Sequence, residues 1–285
     1  MRRQKQRTEI HFLGRLGFFG FIILKFSETM DKYIAFSGGV ESRTMALLYG
    51  KGATAVFTDT GSEHEAMYTA LDEVEKRLLE IHDGDFKLIR IRAKVQIKGE
   101  YFSSLEEVAI KKAFLPSKRE RYCTAIFKIA PMDAFLADKG ECVLMIGLNA
   151  DEERVGNFGL LANVNYVCPL QEDGLTREMC INLLRANQME PNFPAYMQRG
   201  GCYFCPFKSK KEFAAMVHLV PDEIEKVRKL EENVQDKRNK YFRIRSNMPK
   251  MAEFIEIEKN NLFGDLSQYY DAGEEQYSCG VFCHR

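Results

Sequence analysis

The chain has 285 residues, of which 45% are hydrophobic and 29% are charged. This composition is typical of a globular protein with a sizeable core, and it excludes wholesale disorder. Lysine plus arginine and aspartate plus glutamate number 41 each, so the total charge favours neither a nucleic acid nor an acidic partner. Affinity for nucleic acid would need a local patch. Because no apolar run reaches the roughly 18 residues of a membrane helix, we expect no membrane span.

The N-terminal residues 1–29 are interpreted as an extension. They begin with basic residues and are apolar between Leu16 and Leu24, but no small-residue cleavage site follows. A strand or helix that covers the core is the alternative. Eight cysteines without a credible secretory signal indicate metal or thiol chemistry in a reducing compartment, and we therefore expect a cytoplasmic protein without a disulfide scaffold.

From residue 33, short apolar runs alternate with helical segments. Strands are predicted at 33–36, 53–57, 86–91 and 142–146, and helices at 43–49, 64–80, 104–113 and 125–137. This alternation predicts an α/β fold with a mostly parallel, doubly wound sheet. We assign residues 30–165 to a nucleotide-binding domain. Residues 166–285 are predicted to be a helical, cysteine-containing C-terminal region, with helices that start at Thr176 and Pro221.

The first strand runs into the segment Ser37-Gly38-Gly39-Val40-Glu41-Ser42, and a helix begins at once. Glycines let a phosphate approach the backbone, hydroxyls add donors, and a helix N-terminus supplies N–H groups. The pattern predicts a phosphate-binding loop, and without Gly-Lys-Ser/Thr it is not a Walker loop. It resembles the pyrophosphate loop of the N-type ATP pyrophosphatases, in the adenine nucleotide alpha-hydrolase superfamily, which usually has aspartate where this chain has Glu41.

The second strand ends in the segment Thr58-Asp59-Thr60-Gly61-Ser62-Glu63, where a base, a ribose or a magnesium-bound phosphate would lie. A helix cap at Thr60 or Ser62 is the alternative. The segment resembles the Asp-Thr-Gly-x-Glu signature of the phosphoadenylylsulfate (PAPS) reductase family. The resemblance implies that Asp59, Thr60 and Gly61 contact an adenine nucleotide, either ATP with Mg²⁺ or adenylylsulfate or PAPS.

A second cluster of polar residues follows the fourth strand, in the sequence Gly-Leu-Asn-Ala-Asp-Glu-Glu-Arg that starts at Gly147. Asp151 and Arg154 can bind metal, substrate or each other, and a surface ion-pair loop is the alternative. The segment resembles the Gly-x-Arg-x-Asp-Glu-Ser-x-Arg loop of the same family, with Asn149 in place of arginine. The resemblance implies that Gly147 and Asp151 bind the nucleotide, with Lys128 and Arg154 as catalytic cations for phosphate or sulfate oxygens.

The motif Cys202-Tyr203-Phe204-Cys205 follows two glycines, and its spacing lets both sulfurs face one metal or cluster. The spacing alone leaves zinc, an iron–sulfur cluster and a redox dithiol open. Cys123 starts a segment that resembles the Cys-Thr-x-x-x-Lys-Ile-x-Pro sequence of the same family, including the sulfurtransferase of DNA phosphorothioation. The resemblance implies that Cys123, Cys202 and Cys205 ligate a [4Fe–4S] cluster.

The tail supplies two further cysteines, Cys279 and Cys283. Either could be the fourth cluster ligand, and we assign Cys283 to the metal set. Cys279 resembles the catalytic cysteine in the Glu-Cys-Gly-Leu-His tail of the sulfonucleotide reductases, although the preceding glutamate is missing here. A zinc site made of both tail cysteines with Cys202 and Cys205 is the alternative. The remaining cysteines are expected to pack in the core or in a turn: Cys142, Cys168 and Cys180.

The resemblance covers about residues 30–210 and implies an enzyme of sulfur metabolism. In the first hypothesis, ATP adenylylates an acceptor, and sulfur then arrives through the cluster from a donor such as a cysteine desulfurase. In the second, adenylylsulfate or PAPS is reduced with release of sulfite, with a thioredoxin-like protein as reductant. A third hypothesis, motivated by Glu41 and Asn149, is a non-catalytic nucleotide-binding module.

The segment Lys237–Arg245 holds five basic residues interleaved with two aromatic ones. Such a pattern can follow a nucleic-acid backbone while the rings stack on bases. The alternative is the solvated face of a helix. The segment therefore leaves a nucleic-acid sulfur acceptor as one hypothesis for the substrate.

Overall fold

The structure is a computed structural model that describes residues 30–92, 94–153, 161–239 and 241–261. Three parts of the sequence analysis fall outside these residues: the predicted extension 1–29, Arg154, and the tail cysteines Cys279 and Cys283.

Seven strands are described: β1 (Asp31–Ala35), β2 (Ala53–Asp59), β3 (Lys87–Arg92), β4 (Val95–Ile97), β5 (Glu100–Phe102), β6 (Cys142–Met145) and β7 (Val164–Val167). Five of them form one sheet in the order β3–β2–β1–β6–β7, and every neighbouring pair is parallel. The strands β4 and β5 form a separate antiparallel hairpin. The predicted α/β fold with a parallel sheet is confirmed.

The helices are α1 (Val40–Tyr49), α2 (Glu65–Ile81), α3 (Leu105–Lys112), α4 (Tyr122–Thr124), α5 (Ala130–Ala137), α6 (Pro169–Glu172), α7 (Arg177–Ala186), α8 (Lys210–Leu219), α9 (Pro221–Arg238) and α10 (Met251–Asn260). A π-helical turn, Ala125–Ile129, joins α4 to α5. As predicted, Thr176 caps α7 and Pro221 is the first residue of α9. The described helices include none with the length and apolarity that a membrane crossing requires.

Both faces of the parallel sheet are covered by helices. Successive strand residues point to opposite faces, so Ile34 and Phe36 of the first strand and its extension pack with α1, α2 and α7. Tyr33 and Ala35 pack on the other face with α5. This arrangement is the doubly wound sheet that the sequence predicts, and it places the loops after β1 and β6 side by side.

A third hydrophobic core joins the C-terminal helices to earlier parts of the chain. The helices α8, α9 and α10 pack with the β4–β5 hairpin, with α3 and with Phe127. The predicted domain boundary between residues 165 and 166 falls within β7, and described residues on both sides of it share two of the hydrophobic cores. The amino-acid composition changes at this boundary. The division of the chain into two domains there stays a prediction.

The core carboxylate of Glu231 connects α9 to the segment that follows it. Its two oxygens accept hydrogen bonds from the backbone N–H groups of Ile244 (2.9 Å) and Met251 (2.6 Å). Burial raises the pKa of Glu231 above its ordinary value, against the opposing effect of these two N–H groups. Glu231 thus holds an irregular stretch of backbone against α9 and fixes the start of α10.

We expect Glu231→Ala to lower the free energy of unfolding by about 2 kcal/mol, because two buried N–H groups lose their acceptor. Because the folded-state pKa is raised, ionisation of Glu231 costs stability as the pH rises above about 4.3 towards that pKa. Glu231→Gln should remove this part of the pH dependence. Urea denaturation between pH 4 and pH 8 checks both changes.

The neighbouring exposed Glu232→Ala is the control and should change stability by less than about 0.5 kcal/mol. An equal loss of stability in Glu231→Ala and Glu232→Ala would contradict the role assigned to Glu231.

Candidate functional site

The phosphate loop follows β1 and opens directly into α1. Gly38 has φ +74°, in the left-handed region that favours glycine, and a Cβ atom there would lie 2.4 Å from Cε of Met67. Gly39 is the N-cap of α1, and no side chain caps this helix. The first N–H groups of a helix have no acceptor within it, so the start of α1 presents donors to an anion.

The hydroxyls of the loop shape its backbone. Ser42 Oγ accepts the N–H of Ser37 and donates to the carbonyl of Gly39, both at 3.2 Å. It also lies 3.2 Å from Ser37 Oγ. The buried guanidinium of Arg43 donates from Nε to the carbonyl of Gly38 at 2.8 Å, and burial lowers its pKa to about 10. Arg43 therefore stays charged at neutral pH, and its hydrogen bond to the Gly38 carbonyl holds the loop backbone in place.

The loop lies at the topological switch point of the sheet. Chain connections run from β1 to one side through β2 and β3 and then return to β6 on the other side, which opens a crevice between the ends of β1 and β6. Gly147 follows β6, and a Cβ atom there would lie 3.2 Å from Cβ of Glu41. A glycine at this position thus lets the two predicted loops meet.

A polar network joins these two loops to α7. The carboxylate of Glu41 forms an ion pair with Arg177 and accepts a hydrogen bond from Asn149 Nδ2 at 3.2 Å. The Arg177 backbone N–H donates to Asp151 Oδ2 at 2.7 Å. Glu41 and Asn149 are two of the positions where the sequence departs from the pattern of the family that it resembles, and in the structure they contact each other.

The predicted nucleotide residues after β2 divide into two roles. Asp59 anchors its own turn: its oxygens accept hydrogen bonds from the Gly61 N–H (2.7 Å), the Tyr68 hydroxyl (2.9 Å) and Arg92 Nε (3.0 Å). Gly61 has φ +68° and packs against the start of α3, where a Cβ atom would lie 2.7 Å from Cβ of Ser104. The described contacts of both residues are therefore structural.

The side chain of Thr60 instead contacts a cysteine of the CxxC motif. Its hydroxyl donates to Glu63 Oε1 at 2.9 Å and lies 3.1 Å from the sulfur of Cys202. The alternative prediction of a helix cap at Thr60 or Ser62 is wrong. The following helix, α2, starts after His64, and Ser62 Oγ instead accepts the N–H of Glu106 at 2.9 Å.

Three of the predicted metal ligands line one cavity of about 40 Å³. These are Cys123, at the start of the helical segment 122–137, and both cysteines of the CxxC motif, Cys202 and Cys205. Four basic side chains line the same cavity: Arg121, Lys128, Arg199 and Lys208. The structure thus brings together cysteines that are 79 residues apart in the sequence.

Cys202 is the most deeply placed of these thiols. Burial raises its pKa well above the ordinary value, and the carboxylate of Glu63 raises it further, whereas the ammonium of Lys128 opposes the shift. Lys128 lies in the π-helical turn 125–129, and such turns occur frequently at functional sites. The turn therefore places the predicted catalytic lysine beside the predicted cysteine ligands.

The three cysteines of the cavity are not arranged to bind a single metal ion. Within the residues that the structure describes, no three His, Cys, Asp or Glu side chains are arranged to hold one metal ion. None of the six cysteines in the described ranges takes part in a disulfide. As expected, Cys142 and Cys180 are buried in the core, and burial raises the pKa of Cys180 to about 11.

Several residues of the site escape sequence reasoning. Arg177 is the first residue of α7. The predicted cap at Thr176 shows where this helix starts, but it does not show which residue Arg177 contacts. Arg121, Arg199 and Lys208 flank the cysteine motifs in the sequence. Their proximity to CxxC or to Cys123 was a usable signal, because cations beside cysteines favour thiolates and anionic ligands.

The cysteine cavity adjoins the phosphate loop. Gly200, which lines the cavity, is so close to the loop that a Cβ atom there would lie 3.1 Å from the carbonyl oxygen of Ser37. The same atom would lie 3.0 Å from the sulfur of Met67, the residue that also packs beneath Gly38. The two candidate sites are therefore parts of one continuous region.

We expect Gly39→Ala to weaken nucleotide binding at least tenfold, or about 1.4 kcal/mol, and to leave the unfolding temperature unchanged. A methyl group at Gly39 makes only an ordinary contact of 3.5 Å with Ser37 Oγ among the described atoms, so it would project where a phosphate approaches. Gly38→Ala should instead lower stability by about 1–2 kcal/mol, because its backbone is left-handed. Calorimetric titration with ATP and thermal unfolding separate the two effects. Unchanged ATP affinity in the Gly39 variant would contradict the phosphate site.

We expect Arg177→Gln to destabilise the protein by about 2 kcal/mol, because it leaves a mostly buried carboxylate without its cation. A double-mutant cycle with Glu41→Gln should give a coupling energy of about 1–2 kcal/mol. Arg185→Gln, on the same helix, is the control. Its partner Glu190 is exposed, so the change should be within about 0.5 kcal/mol. A coupling energy near zero for the Glu41–Arg177 pair would show that the pair does not join α1 to α7.

Comparison with known proteins adds two findings. Residues 32–157 match the sequence model of the phosphoadenosine phosphosulfate reductase domain. The uncharacterized protein MJ0066 of Methanocaldococcus jannaschii is 32% identical over 112 residues, which cover 38% of this chain and 20% of that protein. The chain thus matches about a fifth of the length of this curated relative.

Proposed function

The chain carries a domain of the phosphoadenosine phosphosulfate reductase family over residues 32–157, and on this premise we propose that it is an ATP-dependent sulfurtransferase. The matched domain supports a sulfonucleotide-related enzyme at the family level. In the proposed reaction, the loop Ser37–Ser42 binds ATP, an acceptor oxygen takes the adenylyl group, and sulfur enters from the side of Cys123, Cys202 and Cys205.

One observation carries the proposal: the cysteine cavity adjoins the first residue of the phosphate loop. Gly200 packs against the carbonyl of Ser37 without room for a side chain, and the cavity that it lines contains the three cysteines. A nucleotide whose pyrophosphate lies on the N-terminus of α1 would therefore have thiol groups nearby. Proximity of this kind is what a reaction between an activated acceptor and a sulfur nucleophile requires.

The chemistry balances without an added oxidant or reductant. An acceptor hydroxyl attacks the α-phosphorus of ATP, the bond to the β-phosphate oxygen breaks, and pyrophosphate leaves with Mg²⁺. A hydrosulfide equivalent then attacks the adenylylated centre, a new bond to sulfur forms, and AMP leaves. In this proposal, donors at the start of α1 and the ammonium of Lys128 stabilise developing negative charge on the phosphate oxygens.

The donor set around the cavity fits an iron–sulfur cluster. Cys123, Cys202 and Cys205 are three thiol ligands of the kind that hold [4Fe–4S] clusters, and the four basic side chains around them would offset the negative charge of thiolates. When bound, a cluster with one open iron would supply a site that holds the sulfur to be transferred. Zinc on CxxC and the tail cysteines is the alternative occupant.

The family description itself favours a second candidate, reduction of adenylylsulfate or PAPS. In that reaction a cysteine would attack the sulfur of the sulfonucleotide, and sulfite would be released after reduction by a thiol protein. Cys279 is the candidate nucleophile from the sequence, and it lies outside the described residues. Titration with ATP and with adenylylsulfate, followed by assays for pyrophosphate and for sulfite, separates the two candidates.

We predict that the protein purified without oxygen contains about four iron and four sulfide per chain and has brown absorption. Cys123→Ser should remove at least half of the iron, because it deletes one of three thiol ligands of the cavity. Cys168→Ser is the matched control, since Cys168 is half-buried and does not line the cavity. Iron and sulfide analysis and the visible spectrum measure the effect.

Stoichiometric zinc without iron, unchanged by Cys123→Ser, would overturn the cluster assignment and leave the sulfur-transfer proposal without its sulfur carrier. ATP binding by the same preparation tests the other half of the proposal. A protein that holds iron but binds adenylylsulfate and not ATP, and releases sulfite, would instead be the reductase.

A further inference from the structure

Two basic segments of the chain stand out against its balanced total charge. Residues 237–250 contain six lysines or arginines and no acidic residue, and residues 111–121 contain five basic residues and one glutamate. The two segments are about 120 residues apart in the sequence. A local patch would exist only if the fold brings them together.

The structure joins them directly. Lys237 Nζ donates to the carbonyl of Ile110 at 3.0 Å, and Arg238 donates to the carbonyl of Lys112 at 3.3 Å. The guanidinium of Arg238 also lies over the ring of Phe114, 4.9 Å from its centre. The end of α9 and the end of α3 thus form one basic surface, which we call the basic patch. The alternative prediction of a helix face holds only at Lys237 and Arg238, because α9 ends at Arg238 and the described residues 241–250 are irregular.

Aromatic rings accompany the cations of the basic patch. Tyr241 has 59% of its surface exposed, and both Arg243 and Lys250 lie over its ring, 4.9 Å from the centre. Cation–π contacts hold the ring in place, and the result is an exposed ring between two cations. It is the combination that single-stranded nucleic acids use, with cations on the phosphates and rings on the bases.

The basic patch leads to the cysteine cavity. The ring of Phe114 stacks on Tyr122, with centres 4.8 Å apart, and Tyr122 is the neighbour of Cys123. Arg121 lies over the ring of Phe207, and both residues line the cavity. A run of ring and cation contacts therefore connects the basic patch to residues that line the cavity.

We infer that the basic patch binds an unpaired stretch of nucleic acid, RNA or DNA, and presents it to the cysteine cavity as the sulfur acceptor. Its role as acceptor site rests on the proposed function, whereas binding does not. Two lysines of the patch have acidic partners, Lys111 with Glu107 and Lys112 with Glu100. Exposed pairs of this kind contribute little, so a phosphate can replace either carboxylate.

The test uses the full chain and fluorescent 20-nucleotide single strands of RNA and DNA, with a duplex of the same sequence as a third probe. Fluorescence anisotropy should show binding of at least one single strand at 50 mM salt, with affinity that falls as salt rises. Lys111→Gln combined with Lys237→Gln, one residue from each segment, should weaken binding about tenfold and lower the salt slope by about 0.7 for each phosphate that is no longer neutralised. Lys76→Gln with Lys87→Gln removes the same charge from α2 and β3 and should change affinity less than twofold.

Stacking is tested separately at Tyr241. Tyr241→Ala should weaken single-strand binding about tenfold, and Tyr241→Phe, which keeps the ring, should restore it. No binding by the wild type, equal losses in the control pair, or preference for the duplex would overturn the inference. Preference for RNA or for DNA would identify the source of the acceptor.

Calorimetry with ATP on the same variants keeps the two proposals apart. Normal ATP affinity together with abolished oligonucleotide binding is the expected result. A wild type that binds the oligonucleotide but neither ATP nor iron would refute the proposed function and leave the basic patch intact. A wild type that binds ATP and iron but no oligonucleotide would refute the basic patch alone.

Discussion

The site depends on the packing of the Met67 side chain between two glycines. Met67 is fully buried on α2, and atoms of its thioether lie where a Cβ atom of Gly38 or of Gly200 would be. One glycine belongs to the phosphate loop and the other to the loop that leads into CxxC. Because protein interiors are densely packed, a methyl group at Gly38 would overlap the end of the methionine and one at Gly200 would press on its sulfur, so the side chain would have to shift in either variant. One buried side chain thus packs against both the predicted phosphate loop and the loop that leads into CxxC.

The departures at Glu41 and Asn149 from the pattern of the family that the sequence resembles are explained by a direct contact between the two residues. Glutamate at position 41 is one methylene longer than aspartate, and its carboxylate reaches both Asn149 and the guanidinium of Arg177. An arginine at position 149 would place a second cation near the same carboxylate. A guanidinium therefore still lies beside residue 41, and it belongs to Arg177 of α7. This contact weakens the motive for a non-catalytic module, because the two departures compensate for each other.

Sequence reasoning recovers what local pattern and chain order determine. Buried strands such as β1 and β2, capped helices such as α7, and the glycine loop before α1 all carry their signal within a few residues. It misses β4, β5 and β7, which are three or four residues long and carry too little periodicity. It also misses Arg177, because pairing with Glu41 depends on a contact between residues 136 positions apart. The cavity cysteines were found through resemblance, since spacing alone does not show that Cys123 lies near CxxC.

Electrostatics explain why a chain with no net charge can serve anionic ligands. The proposed ligands, nucleotide phosphates and a nucleic-acid backbone, are anions, and the cysteines of the cavity become anionic when they lose their protons. Total charge does not determine their binding, since opposite charges further apart than the Debye length, about 8 Å at physiological salt, are screened from one another. What matters is that four basic side chains share one cavity with three cysteines, and that Phe114 of the basic patch stacks on Tyr122, the neighbour of Cys123. Burial disfavours the thiolate of Cys202, so the neighbouring Lys128 is what makes its deprotonation less costly. The four cations that line this cavity are therefore the groups that would offset negative charge on a thiolate or on a phosphate bound beside it in the proposed reaction.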